Sequence, residues 1–173
     1  MQKWYHIFTK STGLGLYTWI ILCILPFYFV FRLSSPIEIS IGIVMIVVYF
    51  AAHRFAYTRK SWHVYMAISV MMAINIGMTL YFGYVYFSPF LAFFIGNRAR
   101  KAEFIILYIL HVVTTIGAVS AGFFVQMETF ISQLPFIIVT VIGIILLPLN
   151  MYHTNKNKQL ENELQHSAAP WAF

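Results

Sequence analysis

An all-α fold, a polytopic transmembrane helical bundle of five to six spans, is what the sequence predicts, and three observations carry the prediction. Apolar runs near twenty residues recur almost end to end. Hydrophobic residues make up 61% of the 173 and charged ones 9%, with a mean hydropathy of +0.79. Lys and Arg are confined to short clusters between the runs. In lipid, runs of this kind satisfy their backbone as helices. The length leaves room for one membrane domain, because apolar segments use nearly everything up to Asn150.

The first run, 13–33, comes after Lys3 and Lys10 and so mimics a signal peptide. It ends in Phe31-Arg32-Leu33-Ser34-Ser35-Pro36 without a small-x-small cleavage site, which makes it a retained first span. Trp4, Tyr5, Ile7 and Phe8 precede a polar patch, Lys10-Ser11-Thr12, at the edge of that span. A helix over 4–33 would be about 45 Å long, placing Lys10 and Thr12 near the lipid–water boundary with Lys10 snorkelling outward. A lysine forced to mid-membrane costs about 2.5–3.5 kcal/mol, so tilt or shift of the helix is the easier response. An ordinary lysine flank fits these residues equally well.

Runs 37–55 and 62–82 come next. Extending the latter to Gly96 as one helix would give roughly 50 Å against a core of about 30 Å, so a break is expected. Gly83 and Ser88-Pro89 can supply it, and Tyr81, Phe82, Tyr84, Tyr86 and Phe87 have the character of an interface turn, leaving a short apolar run over 84–96. Runs 104–125 and 134–151 complete the membrane part. Pro26, Pro135 and Pro148 interrupt helical hydrogen bonding or sit at its start, and Pro148 stands where a hinge would alter how the last span feeds the polar segment after it. Prolines are also common in membrane helices for no such reason.

The basic clusters Arg54, Arg59, Lys60 and Arg98, Arg100, Lys101 should both face the cytoplasm. An even number of crossings between them gives six spans with both termini inside; a single crossing gives five and an external amino terminus. The outer loops 34–38 and 126–133 would carry Glu38 and Glu128 and no Lys or Arg, which favours six. A net charge of +6 could suggest nucleic acid, but these cations lie in loops between spans and read as topology determinants and phospholipid contacts.

Beyond Pro148 the composition turns polar, and 156–165 reads as a helix with Leu160 and Leu164 on one face, compatible with the start of a coiled coil or with a solvated stub. The expected division is 1–151 membrane sensor domain, 152–166 start of a cytoplasmic signalling helix, and 167–173 tail, which Pro170 sets apart as a natural end or an added scar.

Enzyme chemistry is hard to find. There is no Asp, the five Glu and six His are scattered, and no His-Glu-x-x-His, phosphate loop or nucleophile elbow occurs, so no catalytic, metal or cofactor site is expected. Cys23 stands alone in an apolar run, a packing residue. His111 and Asn75 lie deep in spans. They would line a path if the protein were a small transporter or channel; hydrogen bonding to a neighbouring helix is the plainer role. Gly117, Ala118, Ala121 and Gly122 repeat at i, i+4 and predict close packing of their helix against a neighbour or a second protomer.

Five strings in order, Pro26-Phe27-Tyr28-Phe29, Arg54-Phe55-Ala56, Phe93-Phe94-Ile95-Gly96-Asn97, Pro135-Phe136-Ile137-Ile138-Val139-Thr140 and Ile145-Leu146-Leu147-Pro148, resemble the membrane region of DesK-type sensor histidine kinases, in register from about 8 to 165. The resemblance implies a homodimeric detector of cold-induced change in bilayer thickness or order in the bacterial cytoplasmic membrane. It would control a cytoplasmic kinase that acts on a response regulator. It also implies sensing by Lys10, Ser11 and Thr12, with Thr12 where the family has a more polar asparagine, a hinge at Pro148, and transmission through Leu160 and Leu164. The phosphoacceptor and ATP-binding segments of such kinases are absent from this chain, so no enzymatic activity is expected of it. Kinases of this type are drawn with five spans, against the six that charge favours.

Overall fold

A computed structural model describes residues 16–58, 62–83, 85, 87–98 and 100–168. Its helices are α1 (Leu16–Val30), α2 (Pro36–Thr58), α3 (Trp62–Phe82), α4 (Ser88–Gly96), α5 (Lys101–Val125), α6 (Met127–Ser132) and α7 (Leu134–Ala168), and the described residues contain no strand. The all-α bundle expected from the sequence is the architecture found. Among the described residues, α2, α3, α5 and α7 are each long and apolar enough to cross a membrane. Their outward faces are apolar, with Val44 60%, Val113 62% and Val139 70% exposed; lipid, not water, is the solvent such faces suit.

Local chemistry sets the ends. α2 opens on Pro36, whose fixed φ and missing N–H suit a first helical position, and Glu38 in its first turn complements the helix dipole. α3 closes at Gly83, which takes φ +68° while its N–H returns to Thr79 O at 3.0 Å. That left-handed cap is open to glycine at little cost.

Contacts along their length make α3 and α5 parallel neighbours. Tyr65 Oη near the start of α3 donates to Glu103 Oε1 near the start of α5 at 3.2 Å, Asn75 meets Thr115 midway, and Gln126 Nε2 just past α5 donates to Tyr81 O near the end of α3 at 3.2 Å. A chain leaving the end of one and entering the start of the other must travel back through the bundle. It does so by α4, with eight of its nine residues buried, and by the non-helical connection that includes Gly83, Val85 and Phe87. The sequence places an apolar span over 84–96; the structure starts the helix at Ser88, about 13.5 Å long, under half a hydrocarbon core. Irregular backbone at that depth is tolerable where protein encloses it, and here Phe87, Leu91 and Ile95 are fully buried. Arg54, Arg98, Arg100 and Lys101 therefore share one end of the bundle, hereafter the basic end.

α7 runs back along α5 toward the basic end and continues without interruption to Ala168, 35 residues or about 52 Å. It seats on the bundle by a narrow stripe, Ile137, Ile144 and Pro148.

Candidate functional site

Two arrangements stand out, one at the break before α4 and one where α4 meets α7. At the break, side chains from three helices converge on the start of α4, adding to its backbone hydrogen bonds, of which Leu91 N to Phe87 O at 3.3 Å is the first. Tyr49 of α2 donates its hydroxyl to Phe87 O at 2.8 Å, buried, with its ring 4.3 Å from that of Phe87. From α5, His111 Nε2 lies 3.3 Å from Ser88 O, a geometry in which Nε2 carries the proton, while its Nδ1 is buried without a partner. Ser88 Oγ donates to Asn75 Oδ1 at 2.9 Å, and Asn75 Nδ2 donates to Thr115 Oγ1 at 3.3 Å. Thr79 Oγ1 donates to Asn75 O at 2.7 Å. Asn75, Ser88, His111 and Thr115 are all essentially inaccessible.

Interhelical hydrogen bonds in membranes average about 0.6 kcal/mol, with a maximum near 1.7. Asn75→Ala removes two of them, so a loss of about 1–2 kcal/mol is expected, against roughly half of that for Thr115→Val, measured as the shift in unfolding midpoint in mixed micelles.

The second arrangement surrounds Pro148. A Cβ added to Gly96 would lie 3.0 Å from Met151 Cβ and 3.2 Å from Pro148 Cα, so the bare glycine lets the end of α4 rest directly on the α7 backbone. Pro148 has no N–H for Ile144 O. In the same turn Ile145 O accepts from Tyr108 Oη of α5 at 2.9 Å. Tyr152 stacks on Phe104 with centroids 4.3 Å apart and planes 12° apart, and Asn155 Nδ2 donates to Asn97 Oδ1 at 3.1 Å. The proline turn is thus gripped by α4 and α5 together. Past Asn155, every described residue of α7 is exposed.

Of the residues singled out in the sequence, Lys10, Ser11 and Thr12 lie outside the described residues. Pro148 is buried inside α7, and Leu160 and Leu164 are 50% and 68% exposed on its polar extension. The small residues of α5 divide between two faces. Gly122 packs inward, where an added Cβ would overlap the Phe130 ring, whereas Gly117 meets nothing within 4 Å and Ala121 is exposed. Among the described residues no group of His, Cys, Asp or Glu could hold a metal. Tyr49, Gly96, Tyr108 and Thr115 carry much of both arrangements and have no role in the sequence reading, which takes Ser88 only as part of the helix break. For Tyr49 and Thr115 the available signal was a polar group deep in an apolar run, at the depth of Asn75.

The family described as the DesK N-terminal domain matches residues 1–151. The chain is similar to the sensor histidine kinase DesK of Bacillus subtilis (strain 168), 34% identical over 165 residues that cover 95% of this chain and 45% of that protein. It thus spans about half the length of the curated relative it matches. No solved structure matches it.

Proposed function

The chain belongs to the DesK N-terminal domain family, and from that premise we propose that it is the membrane sensor module of a DesK-like two-component kinase. It detects cold-induced change in bilayer thickness or order and passes the change along α7 to a kinase domain in the longer parent. One observation supports this most directly: Pro148, at the exit of the last span, is held by α4 and α5 while the same helix runs on unbroken to Ala168. A shift of the bundle relative to α7 would reach the polar extension through that point.

In this reading Lys10, Ser11 and Thr12 report the boundary, Pro148 permits rearrangement, and the Leu160/Leu164 face hands it to the kinase. The basic end faces the cytoplasm of a bacterial cell, as Arg54, Arg98, Arg100 and Lys101 favour, and α7 delivers its extension there. The partners are the bilayer, a second copy of the chain, and, through the kinase domain in cis, a response regulator. The membrane module itself carries no catalytic group. A transport role has weaker support, since the amide of Asn75 and the hydroxyl of Ser88 are taken up with each other and with Thr115.

Mismatch costs fractions of a kcal/mol per Å, so a few Å acting on several helices supplies about 1–3 kcal/mol. Full reversal of a switch from 1:99 to 99:1 needs about 5.5 kcal/mol, so the module must sit near balance or two copies must act together. With the chain joined to a DesK-type kinase region, autophosphorylation in bilayers of increasing acyl length should change about 5- to 150-fold. Pro148→Ala should flatten that response while leaving the fold intact. A response that is flat in the parent sequence ends the proposal.

A further inference from the structure

The structure assigns a phosphate-binding site to the basic end of the bundle: we infer that the cavity between the end of α4 and the exit of α7 takes the phosphate oxyanion of an anionic headgroup. The cavity has a volume of about 300 Å³ and is lined by Asn97, Arg98, Tyr152, Asn155, Lys156 and Gln159, at the lower end of the size of small-molecule sites. Two of the six are cations, four are neutral hydrogen-bonding side chains, and none is a carboxylate.

The electrostatics favour an anion. Arg98 directs Nε to Glu103 Oε1 at 2.9 Å and Nη2 to the same oxygen, leaving Nη1 without a partner among the described residues. Its guanidinium is fixed over the Phe94 ring, 5.5 Å from the centroid, so the donor is held in place before any ligand arrives. Lys156 makes no ion pair among the described residues, so its charge is unspent. The floor is rigid, because the Asn155–Asn97 bond and the stacking of Tyr152 on Phe104 tie α7 to α4 and α5 on either side of it.

Position supplies the natural ligand class. The cavity lies at the end of the bundle where the apolar runs give way to Arg98 and to exposed Arg100 and Lys101, and basic pockets between helices at the headgroup level hold anionic headgroups. Free phosphate shares the recognition chemistry. The site stands independently of thickness sensing, since it requires only the cavity and its charges.

The test uses the full chain in detergent micelles, titrated with short-chain phosphatidylglycerol, with short-chain phosphatidylcholine, and with inorganic phosphate, read by ³¹P resonance broadening and by the shift in melting temperature. Binding of phosphatidylglycerol above phosphatidylcholine, weakened about tenfold by Lys156→Gln, is the expected result. Lys156 is exposed, so this variant should fold as the parent does. Inorganic phosphate binding as well as phosphatidylglycerol, with the same Lys156 dependence, would support the site and identify its ligand as the free anion. Arg98→Lys keeps the charge but loses the planar fork, and should weaken binding less than Arg98→Gln. Equal binding of both lipids unaffected by Lys156→Gln, or no binding of any probe, overturns the assignment.

Discussion

Phe130→Ala is expected to destabilise the protein by about 3–5 kcal/mol, the range for emptying a buried aromatic site. Phe130 is fully buried and is the buried residue of the six-residue α6, so that helix keeps its place mainly through this one ring. Around it lie Phe123, at 5.2 Å between centroids, Gly122, whose missing side chain makes room for it, and Gly83, where an added Cβ would lie 3.6 Å away. With Val85, Val119 and Ile137 it forms a separate core at the end of the bundle opposite the basic one. The rigid glycine-lined slot has little freedom to collapse, which argues for the upper part of the range. A second substitution checks the mechanism. Gly122→Ala alone should destabilise by overlap with the ring, by about 1–3 kcal/mol. Placed on Phe130→Ala, the same methyl fills space and should cost little or nothing. Denaturant titrations of the four proteins yield the interaction energy directly, and a Phe130→Ala cost under about 1 kcal/mol would contradict the packing described.

Gly96→Leu should have the largest effect on signal transfer. Even a Cβ at this position meets Pro148 Cα at 3.2 Å, a backbone atom that cannot swing aside as a side-chain tip would. The larger side chain must therefore push α4 and α7 apart, at a cost of about 1–3 kcal/mol. Separation would break the Asn155–Asn97 hydrogen bond, 3.1 Å in the structure. In a Cys23→Ser background, cysteines at 97 and 155 should crosslink readily, and Gly96→Leu should suppress the crosslink. In the kinase fusion the same variant should lose most of its dependence on acyl length while remaining folded. Retention of both crosslink and response would show that the α4–α7 contact does not carry the signal.

The helices were legible in the sequence because length and apolarity suffice in lipid: the runs over 62–82, 104–125 and 134–151 correspond closely to α3, α5 and the membrane part of α7. The break before Ser88 was legible too, from Gly83, Pro89 and the aromatic turn. What could not be read was which faces pack inward. In water, burial shows as an amphipathic stripe; in a bilayer, lipid-facing and protein-facing positions are equally apolar, so α4, the most enclosed helix, looked like any other apolar run. Gly117 and Gly122 illustrate the same limit. They share a small-residue pattern, yet one faces open space and the other a phenyl ring, a difference that depends on α6 being folded over that end. Gly96 sits inside one of the strings that resemble the DesK type, but its closeness to Pro148, 52 positions later in the chain, is a tertiary fact that no local pattern encodes.

The parallel pairing of α3 with α5 has a consequence for biosynthesis. The segment joining them includes non-helical Gly83, Val85 and Phe87 and takes side-chain hydrogen bonds from Tyr49, already made, and from His111, not yet made, when it leaves the ribosome. Until α5 and α7 arrive, that stretch must enter hydrocarbon incompletely sheathed, where unsatisfied peptide groups each cost several kcal/mol. A nascent chain arrested soon after Arg98 would thus be held less firmly than one arrested at Phe82 or one released whole, and quality-control proteases would meet their best opportunity in that interval.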